Sequence, residues 1–300
     1  MAKYLLRRIL LAIPVVAGVT IIVFLVIHLV PGDPVQMMLG DNASKADIEE
    51  LRQLLGLNKP LYIQFKDFIL NLLQGNLGNS IITKRPVSEL LAERFPATLL
   101  LSLCSIAVAL LISLPLGIVS AWKKNTAIDE ISRVLSLLGI SIPNFWLGPM
   151  LIIIFYINLK IFSITGIILP AITLGTGMAA LLTRMIRSTL IDVIEENYII
   201  TARSKGLTNL IVISKHALKN ALLPVITILG LQFGALLSGA IIVETVFSWP
   251  GIGLLTIEAI SRRDYPLVQG CILIIATSYV FVNLLTDILY GFFDPRIRYD

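Results

Sequence analysis

The sequence predicts an all-α membrane protein: six transmembrane helices, with a small helical extracytoplasmic segment between the first and the second. Three observations carry this prediction. Of the 300 residues, 56% are hydrophobic and only 14% charged, where soluble proteins carry about 25% charged residues. Six runs are apolar and long enough to cross about 30 Å of hydrocarbon at about 1.5 Å per residue. The basic residues are shared unevenly among the segments that join those runs. With 20 Gly, 14 Pro and 2 Cys, the chain fits no disordered, collagen-like or disulfide-scaffold class.

The first run, Ile9 to Val30, follows Lys3, Arg7 and Arg8. It exceeds the apolar core of about 7 to 15 residues found in a secretory signal, and Pro31-Gly32-Asp33-Pro34 follows it instead of a small-x-small cleavage site. An uncleaved anchor over 1–30 is expected. The segment 31–96 is patterned. Ser44 with Asp47 resembles a capping signal, and Ile48, Leu51, Leu54 and Leu55 recur at helical spacing before Gly56 and Pro60. Leu61, Phe65, Phe68, Ile69, Leu72 and Leu73 mark a second amphipathic helix, ending at Gln74-Gly75-Asn76, and a third starts at Pro86 with Val87, Leu90, Leu91 and Phe95 on one face. These helices are expected to cap the span ends.

The remaining spans are Ala97 to Ala121, Leu135 to Leu159, Ile167 to Thr183, Ala221 to Val243 and Leu267 to Thr286, all within a membrane domain over 97–292 that leaves a short tail at 293–300. Pro143, Asn144, Trp146 and Pro149 predict a kink in the third span. The fourth is the shortest. In the fifth, Gly230, Gly234 and Ser238 are four apart with Ala235 and Gly239 beside them, a small-xxx-small pattern that serves close helix packing or a smooth wall along a translocation pathway.

An even number of spans puts both termini on one side. With the N-terminus inside, fourteen of the 24 Lys and Arg residues are internal, and the short outer loops hold only Lys160, Arg262 and Arg263. The other seven lie in 31–96, which is too long to count in the positive-inside rule. Both termini are therefore expected in the cytoplasm. The net charge of +5 records this topology and implies no nucleic-acid partner.

Chemistry is sparse. The chain has no P-loop, H-E-x-x-H or G-x-S-x-G, and its two histidines, His28 and His216, fall on opposite sides of the predicted membrane. No catalytic or metal residues are assigned, and Cys104 and Cys271 read as small apolar residues within spans. The span middles lack the ionisable residues that proton-driven carriers need, so energy for transport must come from a partner. A membrane-embedded enzyme or a homo-oligomeric channel is the competing class. The enzyme would need a polar cluster at one depth, which the spans do not offer.

The longest internal connection, about 187–220, mixes both signs. Tyr198, Ile199, Ala202 and Leu207 sit at helical spacing, Gly206 breaks the turn, and Leu210, Ile211, Ile213 and Ala217 start a stretch leading into the fifth span. A short helix lying across the cytoplasmic surface suits docking.

Several motifs occur in one order along nearly the whole chain. They are His28-Leu29-Val30-Pro31-Gly32-Asp33-Pro34, Gly75-Asn76-Leu77-Gly78, Arg85-Pro86-Val87, Thr201-Ala202-Arg203-Ser204-Lys205-Gly206-Leu207 and His216-Ala217-Leu218-Lys219-Asn220-Ala221-Leu222-Leu223-Pro224. Glu244-Thr245-Val246-Phe247-Ser248-Trp249-Pro250-Gly251-Ile252-Gly253, Arg263-Asp264-Tyr265-Pro266 and Asp294-Pro295-Arg296-Ile297-Arg298 complete them. With these the chain resembles the B-type permease subunit of bacterial binding-protein-dependent ABC importers of the dipeptide, oligopeptide and nickel class.

The resemblance implies a type I importer permease fold in the bacterial inner membrane. It implies a sister permease, two ATP-binding subunits that hold the ATP and magnesium, and an extracytoplasmic substrate-binding protein; this chain itself would bind no cofactor. The expected substrate is a small peptide, with glutathione, nickel or a metal chelate as alternatives. The loop around Glu196, Tyr198, Ile200, Thr201, Ala202, Arg203, Lys205, Gly206 and Leu207 would be the coupling loop that fits the ATPase. Aligned on Gly206, Ile200-Thr201-Ala202 stands where the general importer pattern has Glu-Ala-Ala, and the Leu-Pro pair comes late, at Leu223-Pro224.

Overall fold

The computed structural model describes residues 2–29, 35, 44–54 and 57–293. Among them every regular element is helical, apart from an isolated bridge between Asn79 and Pro86. The anchor run is α1 (Ala2–Leu29). The following segment supplies α2 (Lys45–Leu54), which begins directly after Ser44, and α3 (Leu61–Leu73). Next come α4 (Val87–Trp122), α5 (Ala127–Ser141) and α6 (Asn144–Leu151), the last continued by a π-helical stretch, Ile152–Asn158. α7 (Ile168–Ile194) and the short α8 (Asn197–Ser204) lead through Asn209–Ile211 and a second π-helical stretch, Val212–Ala217, into α9 (Leu218–Gly239). The chain closes with α10 (Ile241–Val246), α11 (Ile252–Ser261) and α12 (Tyr265–Phe293). Five of these helices are long and apolar enough to cross a membrane, or six if α5 and α6 form one broken span.

The core is the pair α4 and α7. Along α4 the buried residues Thr98, Ser102, Ser105, Ala109, Ser113, Gly117 and Ser120 form a stripe of small side chains. Against it, a Cβ on Gly175 would sit 2.8 Å from the Ser105 carbonyl oxygen, and one on Gly117 2.8 Å from Ile186 Cβ. Contact this close lets backbone pack on backbone where no hydrophobic force drives helices together. Four of the buried hydroxyls bond within their own helices, whereas those of Ser120 and Thr98 donate to Asp129 and Glu244 on other helices. Ser102 and Ser105 donate to the carbonyls of Thr98 and Leu101 at 2.9 and 2.8 Å, and Thr173 and Thr183 to those of Leu169 and Ala179 at 2.8 and 2.7 Å.

Two sequence expectations are corrected, on the fourth span and on the run starting at Pro86, and one, the kink in the third span, is sharpened. The fourth span extends to Ile194 and is the most buried of the long helices. Its Thr and Gly residues, which lower its hydropathy, are the residues that let it sit inside the bundle. The third span is broken: α5 and the α6 segment meet at 100°, because Ile142 (ψ 117°) and Pro143 (ψ 140°) are both extended. Proline disfavours helical geometry in the residue before it. The amphipathic run starting at Pro86 is the first part of α4 and no separate helix; Pro96 lies inside that helix. It continues through the proline because Val87, Leu90 and Leu91 pack on Ile252, Leu255, Leu267 and Cys271.

Candidate functional site

α8 is held at one end of the bundle by two buried side chains. Ile199 and Ala202 pack with Leu190 of α7, Ala121 of α4, and Val212, Ile213, Ala217 and Ala221 on the way into α9, with Leu207 half-buried at the edge. Its remaining surface is open: Glu196, Ile200, Thr201, Arg203, Lys205 and Gly206 are exposed. Tyr198 also points outward, its hydroxyl accepting a 2.8 Å hydrogen bond from the Asn220 amide. Ile199 is 0% exposed and its neighbour Ile200 53%, so the helix separates an anchoring side from a free side that mixes apolar and charged groups. Leu210 and Ile211 extend the free apolar surface. Gly206 ends the helix at φ +81°, with open space where a Cβ would stand. This is the left-handed conformation in which glycine closes helices.

A carboxylate braces this end. Asp129, fully buried at the start of α5, accepts Ser120 Oγ of α4 at 2.6 Å and the Asn125 backbone N–H at 2.9 Å. Arg187 of α7 grips it in a fork, Nε to Oδ1 at 2.6 Å and Nη2 to Oδ2 at 2.8 Å. Three helices, of which α4 and α7 pack against α8, are thereby joined at one atom group. Sequence reasoning had placed Arg187 in a loop and had not singled out Asp129; the acidic residue in the first turn of α5 was the available signal.

Motifs that are far apart in the sequence converge at the opposite end. Asp264 caps the start of α12 and receives Ser80 Oγ at 2.5 Å and the Ile81 N–H at 3.1 Å, across 184 and 183 positions. The turn between Gly75 and Val87 is shaped for this: Gly75 and Gly78 have φ +74° and +78°, and Asn76 Oδ1 accepts the Gly78 N–H at 2.9 Å. Nearby, Glu244 is completely buried in α10. Its carboxylate accepts Thr98 Oγ1 at 2.7 Å and the Leu254 N–H at 3.1 Å, while Thr98 Oγ1 accepts the Ile252 N–H at 2.8 Å. A Cβ on Gly251 would lie 2.4 Å from both carboxylate oxygens, and one on Gly253 2.6 Å from Ile241 Cα. Both positions therefore exclude a side chain. Trp249 adds a 2.9 Å bond from its indole N–H to the Ala97 carbonyl. Burial pushes the Glu244 carboxyl above the ordinary carboxylate range, against the lowering effect of its hydrogen bonds.

Gly230 and Gly234 face α12. A Cβ on Gly230 would stand 2.0 Å from Thr286 Oγ1, and one on Gly234 3.0 Å from the Tyr279 ring. The side-chain positions of Ser238 and Gly239, and all of Pro31, Gly32, Asp33 and Pro34, lie outside the described residues. Pro250 sits between Trp249 and Gly251 in the Glu244 knot.

The fold is that of the membrane subunits of ABC importers. It is similar to solved structures of the MetNI methionine ABC transporter in inward-facing conformations (16% identity, TM-score 0.59, 68% of this chain and 96% of that one). It is also similar to an amino acid ABC transporter (18%, TM-score 0.54, 70% and 95%); at such identities only the fold is shared. The sequence then places it: the chain belongs to the family of binding-protein-dependent transport system inner membrane components, matched over residues 113–299, with the family's N-terminal region matched over 1–103. The glutathione transport system permease protein GsiC of Pectobacterium atrosepticum is 44% identical over 305 residues. The dipeptide transport system permease protein DppB of Alkalihalophilus pseudofirmus is 43% identical over 333 residues. Both alignments cover 100% of each chain. The chain is thus a multi-pass inner membrane permease of a transport system whose other parts include an ATPase and a binding protein.

Proposed function

We propose that this chain and a sister permease form the pathway by which an ATP-driven importer takes up small peptides handed over by an extracytoplasmic binding protein. The carrying observation is α8, a short helix anchored by Ile199 and Ala202 whose other side is free. ATP and magnesium belong to two separate ATP-binding subunits, and α8 is the element of this chain that docks on one of them. Closure of those subunits displaces α8. Because Asp129 ties α4, α5 and α7 together beside it, the displacement moves the bundle instead of being absorbed in a loop. Both termini and α8 face the cytoplasm, as the Lys and Arg distribution requires, and the Asp264 and Glu244 knots face outward, towards the binding protein.

Peptide is favoured because full-length relatives carry the names of dipeptide and glutathione systems; glutathione, itself a tripeptide, is the second reading. The test is reconstitution of the two permeases, the two ATP-binding subunits and the binding protein in vesicles with labelled dipeptides and labelled glutathione. ATP-dependent uptake that requires every component is expected, and competition between the two substrates ranks them. Uptake that persists without the ATPase, or failure of the ATPase to copurify, would overturn the proposal.

A further inference from the structure

The segment between α1 and α4 contains a helix whose surroundings the transport mechanism leaves unused. α3 has three sides. Gln64, Asp67 and Asn71 form a polar edge tied to the preceding loop: Gln64 donates to the Lys59 and Leu57 carbonyls at 2.8 and 3.3 Å, and Lys59 pairs with Asp67 at 2.9 Å. Phe65 and Phe68 form a second edge, packed on Phe24 of α1 with ring centroids 5.2 and 5.7 Å apart. At about 100° per residue, Tyr62, Lys66, Ile69, Leu70 and Leu73 fall in an arc of roughly 100° on a third side. There Tyr62 is 73% exposed and Leu73 79%, and no buried residue lies anywhere on the helix.

Phe24 sets the depth of this third side. It belongs to the apolar spanning window Arg8–Leu25, and it lies five residues before the end of α1, roughly 7 Å below that end at 1.5 Å per residue. The residues around it on α1, Ile21, Ile22 and Leu25, are exposed and apolar, so they form a lipid-facing surface. α3 rests against Phe24 below the tip of the span, beside that surface, with its own apolar arc exposed.

We propose that α3 is an interfacial helix, sunk into the headgroup and acyl-chain boundary at its end of the bundle, and that lipid covers Tyr62, Ile69, Leu70 and Leu73. Tyr62 and Lys66 are the anchoring types found at that depth: an aromatic ring with a polar tip and a cation on a long apolar stem. The helix therefore fastens its part of the segment between α1 and α4 at the membrane plane.

Spin labels on single introduced cysteines in the assembled transporter in lipid nanodiscs test this. The unmodified protein, whose Cys104 and Cys271 lie in long apolar helices, gives the labelling background. Ile22→Cys supplies the lipid reference and Asn71→Cys the water reference, and a site is compared only if its variant retains uptake. Leu70→Cys and Leu73→Cys are expected to match Ile22→Cys, relaxing severalfold more with oxygen than with a water-soluble nickel chelate. Dominance of the nickel chelate would place the arc in water, and suppression of both agents would place it under another protein; either result overturns the proposal.

Discussion

Arg187 closes a two-pronged ion pair on Asp129, Nε to Oδ1 at 2.6 Å and Nη2 to Oδ2 at 2.8 Å, and the two partners differ in their access to water. The Asp129 side chain is 0% exposed and that of Arg187 21%. Removing the arginine strands a buried carboxylate, whereas removing the carboxylate charge leaves a cation that can still turn to solvent. Arg187→Ala is expected to cost about 3 kcal/mol and Asp129→Asn roughly half as much, nearer the value of a charged hydrogen bond. Thermal denaturation of the purified assembly ranks them; a larger loss for Asp129→Asn would refute this asymmetry.

The Glu244 knot predicts a steep penalty for two single methyl groups. Gly251→Ala and Gly253→Ala each force a Cβ into Glu244 oxygens or the Ile241 backbone, an overpacking of at least about 1–3 kcal/mol. Gly18→Ala has nothing within 4 Å of the added carbon and gains up to about 1 kcal/mol of helix propensity. The yield of folded protein in the membrane, measured side by side, should fall for the first two and hold for the third.

Gly206→Val is expected to uncouple transport from hydrolysis. Space is open at that position, so the variant should insert and keep its denaturation temperature within a few degrees. The left-handed φ of +81° nevertheless costs a β-branched residue about 1–3 kcal/mol, which reshapes the end of α8. The ratio of substrate imported to ATP hydrolysed should drop severalfold, and an unchanged ratio would count against α8 as the coupling element.

Neighbouring isoleucines on α8 should separate stability from docking. Ile199→Ala opens a cavity among Leu190, Val212 and Ala217 and is expected to cost about 2–5 kcal/mol. Ile200→Ala removes an exposed side chain, leaving denaturation unchanged while weakening retention of the ATPase on an affinity column. Loss of stability in both variants alike would mean that the free side of α8 is not free.

Ser80→Ala deletes the hydroxyl that donates to Asp264, a loss of about 1 kcal/mol confined to the turn between Gly75 and Val87. Limited proteolysis of the membrane-embedded transporter should cut that turn faster than in the parent, with uptake retained.

The long apolar runs, the α8 motif and the paired glycines of α9 were legible in the sequence, because each signal is local: hydropathy over one span, 3.6-residue spacing, or a glycine where a helix must end. α7 was underestimated, because a window average counts Thr173, Gly175 and Thr183 as polar, although the hydroxyls bond their own helix and the glycine admits α4. Spacing alone grouped Tyr198, Ile199, Ala202 and Leu207, and only the fold shows that the two positions that turn inward are Ile199 and Ala202, the ones that meet α7 and the entry to α9.

The sequence by itself determined the solvent, the helical class, the family and the position of α8, since these follow from composition and from order along the chain. Only the tertiary structure decided what the remaining motifs are for. Asp264 with Ser80, Glu244 with Thr98 and Gly251, and Asp129 with Arg187 are joined across gaps in the chain that no periodicity spans. Each carboxylate can be buried only because folding brings its hydrogen-bond donors from elsewhere in the chain.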